Sequence, residues 1–495
     1  MDKEKIEDYI IIIGMFLFTF LFLGYNEVFS SGFHLTDDHE IVRITSDIHK
    51  NGYLNTLLIW FKNDLNIRFR PTYWIIRVLK ALLFGNNARA WHICLSAESS
   101  LLISLGYIFA RKMKANRFIA LIFSFIYLLG DQADVLWWLG PQENLGCILL
   151  LLAFLSVIKY HEKHTFINGI IVFFLTLLMM GTKESFLLMG ISMIFFIMYL
   201  EYDSFEKNIF TVIKQNMIII ISIIISTFWG LLFILKKVGL LEIGYAGIDN
   251  TFSISDYLTK IFDIWSTQLY KYIFVLIGTL LLIIYSLIID IKNDHTNKTF
   301  FITQFILVIC FLGYTLLSQC ILYAKSGMIH RYILPTSLII MIFCLLISYH
   351  HINDLVISKG AKTIILSIFF IYTLYNSNLI NQITNYVDEG RNTTELLSRI
   401  SKISNPDTKI IVDLGVEWDL AVSAFEDELY NTNHVYNNNY SKHDEGYVVD
   451  AYGEFANEIL DIDRGDLYII ECCNIELYDD IKSNIEVFGD FALMY

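Results

Sequence analysis

The sequence predicts an all-α polytopic membrane protein with a small soluble α/β domain at its C-terminal end, on three observations. Hydrophobic residues make up 55% of the 495, only 4 are Pro, and mean hydropathy is +0.52. A soluble chain of this length needs far more polar surface. Apolar runs close to bilayer length recur, among them 11–24 (IIIGMFLFTFLFLG), 217–235 and 273–289. Charge is also unevenly divided: residues 381–495 hold 24 acidic and 7 basic residues, whereas 1–380 hold 26 and 29, so the net charge of −14 belongs to the tail. Nothing in that distribution fits a nucleic-acid partner.

Hydropathy places about eleven spans, near 9–27, 88–110, 118–130, 144–158, 166–181, 185–200, 216–235, 271–289, 300–320, 332–349 and 363–380. The first is not a cleaved signal peptide, because no small-residue cleavage site follows it. Basic loops set the orientation. RKMKANR (111–117) is the strongest cytoplasmic marker, and Lys159, Lys163, Lys207, Lys214, Lys292, Lys298, Lys359 and Lys362 fall on its side. The facing loop 131–143 has no basic residue. The N-terminus is then cytoplasmic and the C-terminal domain extracytoplasmic.

Two outward segments are long. In 28–87 two helical stretches are expected, roughly 40–61 and 71–84. In the second, Trp74, Ile75, Val78, Leu79 and Leu82 form one apolar stripe, as in a helix lying in the membrane interface. Segment 236–270 has the Gly and Ser/Thr character of a cap. The expected domains are 1–384 in the membrane and 385–495 outside it. In the latter, TKIIVDLG (408–415) and DLYIIECC (466–473) read as strands, EWDLAVSAFEDELY (417–430) as a helix and NTNHVYNNNY (431–440) as a loop. The seven Cys show no metal spacing; Cys472 and Cys473 are adjacent and unsuited to an ordinary mutual disulfide.

Chemistry-bearing residues collect on the outward side. TDDHE (36–40) places Asp37, Asp38 and Glu40 just beyond the first span. One reading is a solvated loop in which Thr36 or Asp37 caps the next helix. The other is a general base with a partner that binds metal or orients an acceptor. Arg68, Arg70 and Pro71 end the same loop. Asp131, Asp134, Gln142 and Glu143, with Trp137 and Trp138, occupy the next outward loop; Lys183 and Glu184 follow in MGTKESF, and His330 and Arg331 in IHRYILP. Singly, the tryptophans read as interface anchors and Lys183 as a snorkelling side chain. Together they line one face, and charges near hydrocarbon pair or line a polar cavity. Carboxylates there suit deprotonation of an acceptor; cations suit a departing anion. Glu98, inside the second span, has no assigned role.

The ordered set DDHEI (37–41), RFRP (68–71), LWWLGPQENL (136–145), GTKES (181–185) and HRYILP (330–335) resembles the GT-C superfamily of polytopic glycosyltransferases, and within it the protein O-mannosyltransferase and TMTC-like branch. The resemblance covers most of 1–350. It implies a GT-C-like membrane domain that moves a sugar, generally with inversion, from a polyprenyl-phosphate carrier to an extracytoplasmic protein, lipid or cell-surface glycan. By position it implies Asp37 or Asp38 as catalytic base and Arg70, Lys183 and Arg331 as ligands of the lipid phosphate. Glu143 and Glu184 would orient the sugar or those cations, with Glu40 and His330 completing the substrate-binding set.

Departures from the family accompany these matches. The helical repeats of TMTC-type relatives are missing, and Gly140-Pro141-Gln142-Glu143 stands where they carry Gly-Arg-x-Asp. SAESS (96–100) replaces a stretch that commonly holds Asn and His. Sugar and acceptor are therefore not carried over. No cofactor is required by the motifs, although Asp37 and Asp38 offer oxygen ligands to Mg²⁺ or Mn²⁺. The Ile/Asn/Lys-leaning composition points to an A+T-rich bacterium, its plasma membrane and undecaprenyl phosphate as carrier. The competing reading is a flippase or transporter of lipid-linked saccharides, disfavoured by the lack of related halves.

Overall fold

The computed structural model describes residues 3–34, 38–65, 68–126, 130–205, 209–237, 253–267, 298–325, 327–328, 330–348, 378–404, 408–413, 434–437, 448–449, 455–456, 467–471 and 484–495, with scattered positions between 360 and 375. The expected span 271–289 and the expected helix 417–430 lie outside them. Among the described residues five helices are long and apolar enough to cross a membrane. These are α1 (Lys3–Tyr25), α5 (Ala88–Lys112), α7 (Glu143–Glu162), and much of α9 (Glu184–Phe205) and α11 (Met217–Lys237). Shorter apolar helices are α8 (Phe166–Met180) and stretches of α13 (Lys298–Leu322) and α14 (Ile333–Ser348). Of the expected span 118–130, the described part is α6 (Arg117–Ile126).

Burial separates the central from the peripheral helices. The apolar windows of α5, α7 and α9 are 67%, 67% and 72% buried, against 17% for α1. Ile10, Ile13, Leu17, Phe18 and Leu21 of α1 are exposed at helical spacing, a surface suited to lipid. The inner helices approach closely. A Cβ at Gly146 of α7 would stand 2.1 Å from the Phe186 ring of α9, so glycine is what permits this contact. Polar side chains tie α9 to α13: Ser192 and Thr315 hydroxyls lie 2.6 Å apart, and Gln319 donates to the Ser185 carbonyl at 2.9 Å.

Segment 28–87 includes three helices, α2 (His39–Asn51), α3 (Tyr53–Asp64) and α4 (Pro71–Phe84). The single stretch expected over 40–61 is broken at Gly52, whose φ of 76° a helix cannot accommodate. The α4 stripe is also divided. Trp74 and Val78 are buried against α2, α3 and Trp91, whereas Ile75, Leu79 and Leu82 remain exposed. Glu98 gains a partner here, since Lys80 of α4 lies 2.6 Å from its Oε1.

At the opposite end of α1, Asp8 accepts from Arg111 at 2.9 Å and Arg117 at 2.8 Å, and Arg117 reaches Glu7 at 2.5 Å. The beginning of the chain and the RKMKANR loop therefore share one end of the bundle. Further helices are α10 (Ile209–Gln215), α12 (Ile254–Thr267) and α15 (Leu379–Ile403). α12 falls within the segment expected to cap, and α15 runs straight through residue 385.

α15 leads into a five-stranded sheet of order β2-β1-β5-β7-β6. Its strands are β1 (Lys409–Asp413), β2 (His434–Asn437), β5 (Leu467–Glu471), β6 (Ile485–Phe488) and β7 (Phe491–Met494); β3 (Val448–Val449) and β4 (Phe455–Ala456) pair separately. β1 is parallel to β2 and β5, and β7 antiparallel to β5 and β6. β2 corrects the loop expected over 431–440, because Val435 and Tyr436 pair with Ile410 and Ile411 of β1 and main-chain pairing outweighs the surrounding asparagines. Arg399 of α15 binds Glu486 of β6 at 2.6 Å and donates to the Tyr495 hydroxyl at 3.0 Å.

Candidate active site

A polar cavity of about 210 Å³ opens where the α2–α4 segment meets the loops before α7 and α14. Glu40, Arg68, Arg70, Tyr73, Gly140, Gln142 and Arg331 line it. Three guanidinium groups therefore face one carboxylate. Each residue arrives from a different local structure: Glu40 from the first turn of α2, Arg70 immediately before Pro71 opens α4, and Arg331 from the short 3₁₀ turn His330–Tyr332 preceding α14.

Neighbours fix these side chains. Arg70 is held by the Asp64 carboxylate and stands 5.3 and 5.5 Å from the ring centres of Tyr73 and Trp74. Burial alone would lower its pKa, but the adjacent Asp64 outweighs that and raises it above the ordinary arginine value. Glu40 accepts from the Tyr73 hydroxyl at 3.2 Å and meets Arg77 Nε at 3.4 Å. Arg77 in turn donates to the Leu139 carbonyl at 2.8 Å, tying α4 to the 131–143 loop. The guanidinium of Arg331 lies 5.7 Å from the Trp138 ring and 5.5 Å from Tyr332.

Behind this cavity Lys183 and Glu143 pair at 2.5 Å, 2% and 0% exposed. The Lys183 ammonium also stands 4.3 Å from the Tyr332 ring. Glu184 accepts from the Phe69 N–H at 3.2 Å, locking the Arg68–Arg70 segment to the start of α9. Gly181 supports the same junction by accepting from the Thr72 N–H at 2.8 Å. Asp134 is buried and within electrostatic reach of Arg331. Burial pushes its carboxyl up to about 7 in spite of that cation.

The sequence-predicted residues separate accordingly. Glu40, Arg70 and Arg331 line the cavity; Glu143, Lys183 and Glu184 stand behind it as supports. His330 is exposed, with φ 44°. Asp38 is fully buried, its Oδ2 accepting from the His34 N–H at 3.0 Å. His34 stacks on Tyr386 of α15 at 3.8 Å and meets Glu389 at 3.4 Å. Burial, then the Asp38 charge, raises the Tyr386 phenol well above its ordinary value. Asp37 lies outside the described residues. The sequence reading missed Tyr73 and Asp64, which shape the cavity without belonging to any of the quoted motifs. Their signal was weak: Asp64 precedes Arg70 by six positions, and Tyr73 immediately precedes the stripe beginning at Trp74.

No family model matches the chain, and a search of curated proteins finds no match. Among solved structures, ArnT from Cupriavidus metallidurans bound to undecaprenyl phosphate aligns over 97% of each chain, with TM-score 0.49 and 9% identity. The apo form of the same protein aligns over 96% of each chain, with TM-score 0.47 and 9% identity. Similarity at this level assigns no activity to the present chain.

Proposed function

We propose that the chain is a GT-C-type integral membrane glycosyltransferase that moves a sugar from a polyprenyl-phosphate carrier to an acceptor outside the cytoplasm. The observation that carries this reading is the 210 Å³ cavity lined by Arg68, Arg70 and Arg331 at one end of a set of apolar helices. Clustered guanidinium groups match a phosphate, and the adjoining helices give a lipid tail its solvent. The positive-inside rule applied to the 111–117 loop favours the extracytoplasmic side for the cavity, with α15 joining the membrane part, expected over 1–384, to the outer part, expected over 385–495.

In the transfer, a carboxylate takes the proton of the acceptor hydroxyl. The acceptor oxygen bonds to the anomeric carbon from the face opposite the phosphate, and the carbon–oxygen bond to phosphate breaks. The electron pair leaves on the lipid phosphate, neutralised by the arginines. Of the acidic pair, Asp37 takes the base role and Asp38 the anchoring one, because Asp38 is already engaged by the His34 N–H and buried. Glu40, half-buried on the cavity lining, orients the sugar or Arg77. Glu143 and Lys183 hold the floor on which Tyr332 and Arg331 sit. A Mg²⁺ or Mn²⁺ ion, if the reaction uses one, would take its oxygen ligands from Asp37 and Asp38.

The test is incubation of purified chain in lipid nanodiscs with labelled undecaprenyl-phosphate sugars. One sugar should be consumed, and Asp37→Asn should reduce turnover by about 10²–10⁴-fold, the range of a lost general base, with the protein still folded. Undiminished turnover in Asp37→Asn would remove the base assignment. Consumption of no sugar by the wild type, with any acceptor class, would remove the reading itself.

A further inference from the structure

At the end of α7 remote from the cavity, three side chains from three segments converge. His161 stands in the last turn of α7, His164 in the connection to α8, and Glu201 near the end of α9. Glu201 Oε1 lies 2.9 Å from His161 Nδ1 and 3.2 Å from His164 Nε2. The three donor atoms all fall within 4.8 Å of one another. Glu201 is 1% exposed, yet its Oε2 has no hydrogen-bond partner among the described residues. The His161 hydrogen bond and the His164 contact both fall on Oε1 and leave half of a buried carboxylate unsatisfied, which is costly.

We propose that His161, His164 and Glu201 form a binding site for a divalent transition-metal ion, with Zn²⁺ the best fit. Two imidazoles and one carboxylate suit Zn²⁺ far better than Mg²⁺ or Ca²⁺, which prefer oxygen-only shells. Zinc bonds of roughly 2.0–2.2 Å in a tetrahedron separate donor atoms by about 3.3 Å. The Glu201 distances of 2.9 and 3.2 Å need open by only a few tenths of an ångström, and the two histidine nitrogens, within 4.8 Å of each other, settle at the same spacing by side-chain rotation. Exposure of His164, at 41%, leaves room for water in the fourth position and a path for entry. Glu143, at the other end of α7, borders the cavity. Eighteen residues of helix separate it from His161, roughly 27 Å, so the ion takes no part in sugar transfer. It clamps α7, the turn after it and α9 together at the far membrane face.

The experiment uses full-length chain without a polyhistidine tag, purified in detergent, stripped with chelator, dialysed against Zn²⁺ and analysed for bound metal. The wild type should retain one Zn²⁺ per chain and melt at higher temperature with Zn²⁺ than without. Co²⁺ in its place should give the visible absorption of a tetrahedral site. His164→Ala, which removes the most exposed ligand, should weaken Zn²⁺ binding by at least about 10-fold while leaving the metal-free melting temperature unchanged. Glu201→Gln should weaken it as well. No Zn²⁺ retained by the wild type, or equal retention by wild type, His164→Ala and Glu201→Gln, would overturn the proposal; equal retention would place the metal on other groups, such as the free thiols.

Discussion

The two ends of α7 carry charge in opposite ways. At its start, Glu143 is sealed against Lys183 and stands behind a cavity of three arginines. At its finish, Glu201 is buried but faces two half-open histidines, and the nearby Lys112–Glu162 pair is exposed on both sides. On the function proposed above, the first end receives an anion, and its cations are held in place by their neighbours. The second offers two imidazoles and a carboxylate, the donor set of a cation. One helix can serve both because its middle is apolar and buried, which keeps the two fields apart.

The comparison breaks most sharply at Lys183. Lys183→Met leaves the Glu143 carboxylate buried without its partner, so unfolding should become easier by about 3–5 kcal/mol, read as a lower melting temperature in detergent. Pairing it with Glu143→Leu should restore much of that loss, because the unpaired charge goes too. A double variant as unstable as the single one would mean the pair contributes through geometry rather than charge.

At the cavity itself, Arg331→Ala should lower kcat/KM for the lipid-phosphate donor by about 10–100-fold, the worth of a charge-assisted hydrogen bond at 1.36 kcal/mol per decade. Folding should be little affected, since Arg331 lies on the cavity lining rather than in the core.

Asp134 gives a pH-dependent contrast. Its folded value of about 7 lies above the ordinary 3.8. Between those values the unfolded chain has released the proton and the folded chain keeps it, so stability falls as pH rises from about 4 to about 7 and then levels off. Asp134→Asn lacks this fall. Melting curves of the two proteins should converge near pH 4 and separate by pH 7, with the Asn variant the more stable. Parallel curves throughout would show that Asp134 is ionised in the folded state.

Much of this architecture was legible because lipid imposes strong composition rules. The apolar runs at 9–27, 88–110, 144–158 and 216–235 became α1, α5, α7 and α11, each within a few residues. Arg70 and Arg331, read as one-sided charges, line one cavity although 261 positions separate them. What escaped notice depends on contacts no periodicity encodes. Asp38 looks in sequence like Asp37, and neither its full burial nor the His34 N–H at its carboxylate has a sequence signal. α2 and α3 read as one helix because Gly52 is a single residue in a helical pattern, and its positive φ is a tertiary choice. His161, His164 and Glu201 escaped for a similar reason: the third ligand comes from another helix, 40 residues beyond His161.

The Asp8 network bears on how the protein is made. Asp8 enters the bilayer region with α1, but its partners Arg111 and Arg117 follow 103 and 109 residues later. At ribosomal speeds of about 5–20 residues per second, the first span waits roughly 5–20 s before its anchor exists. During that interval only its exposed apolar surface holds it in place. The latch between chain start and second span is therefore a late event of biogenesis, closing a hairpin that lipid alone had kept open.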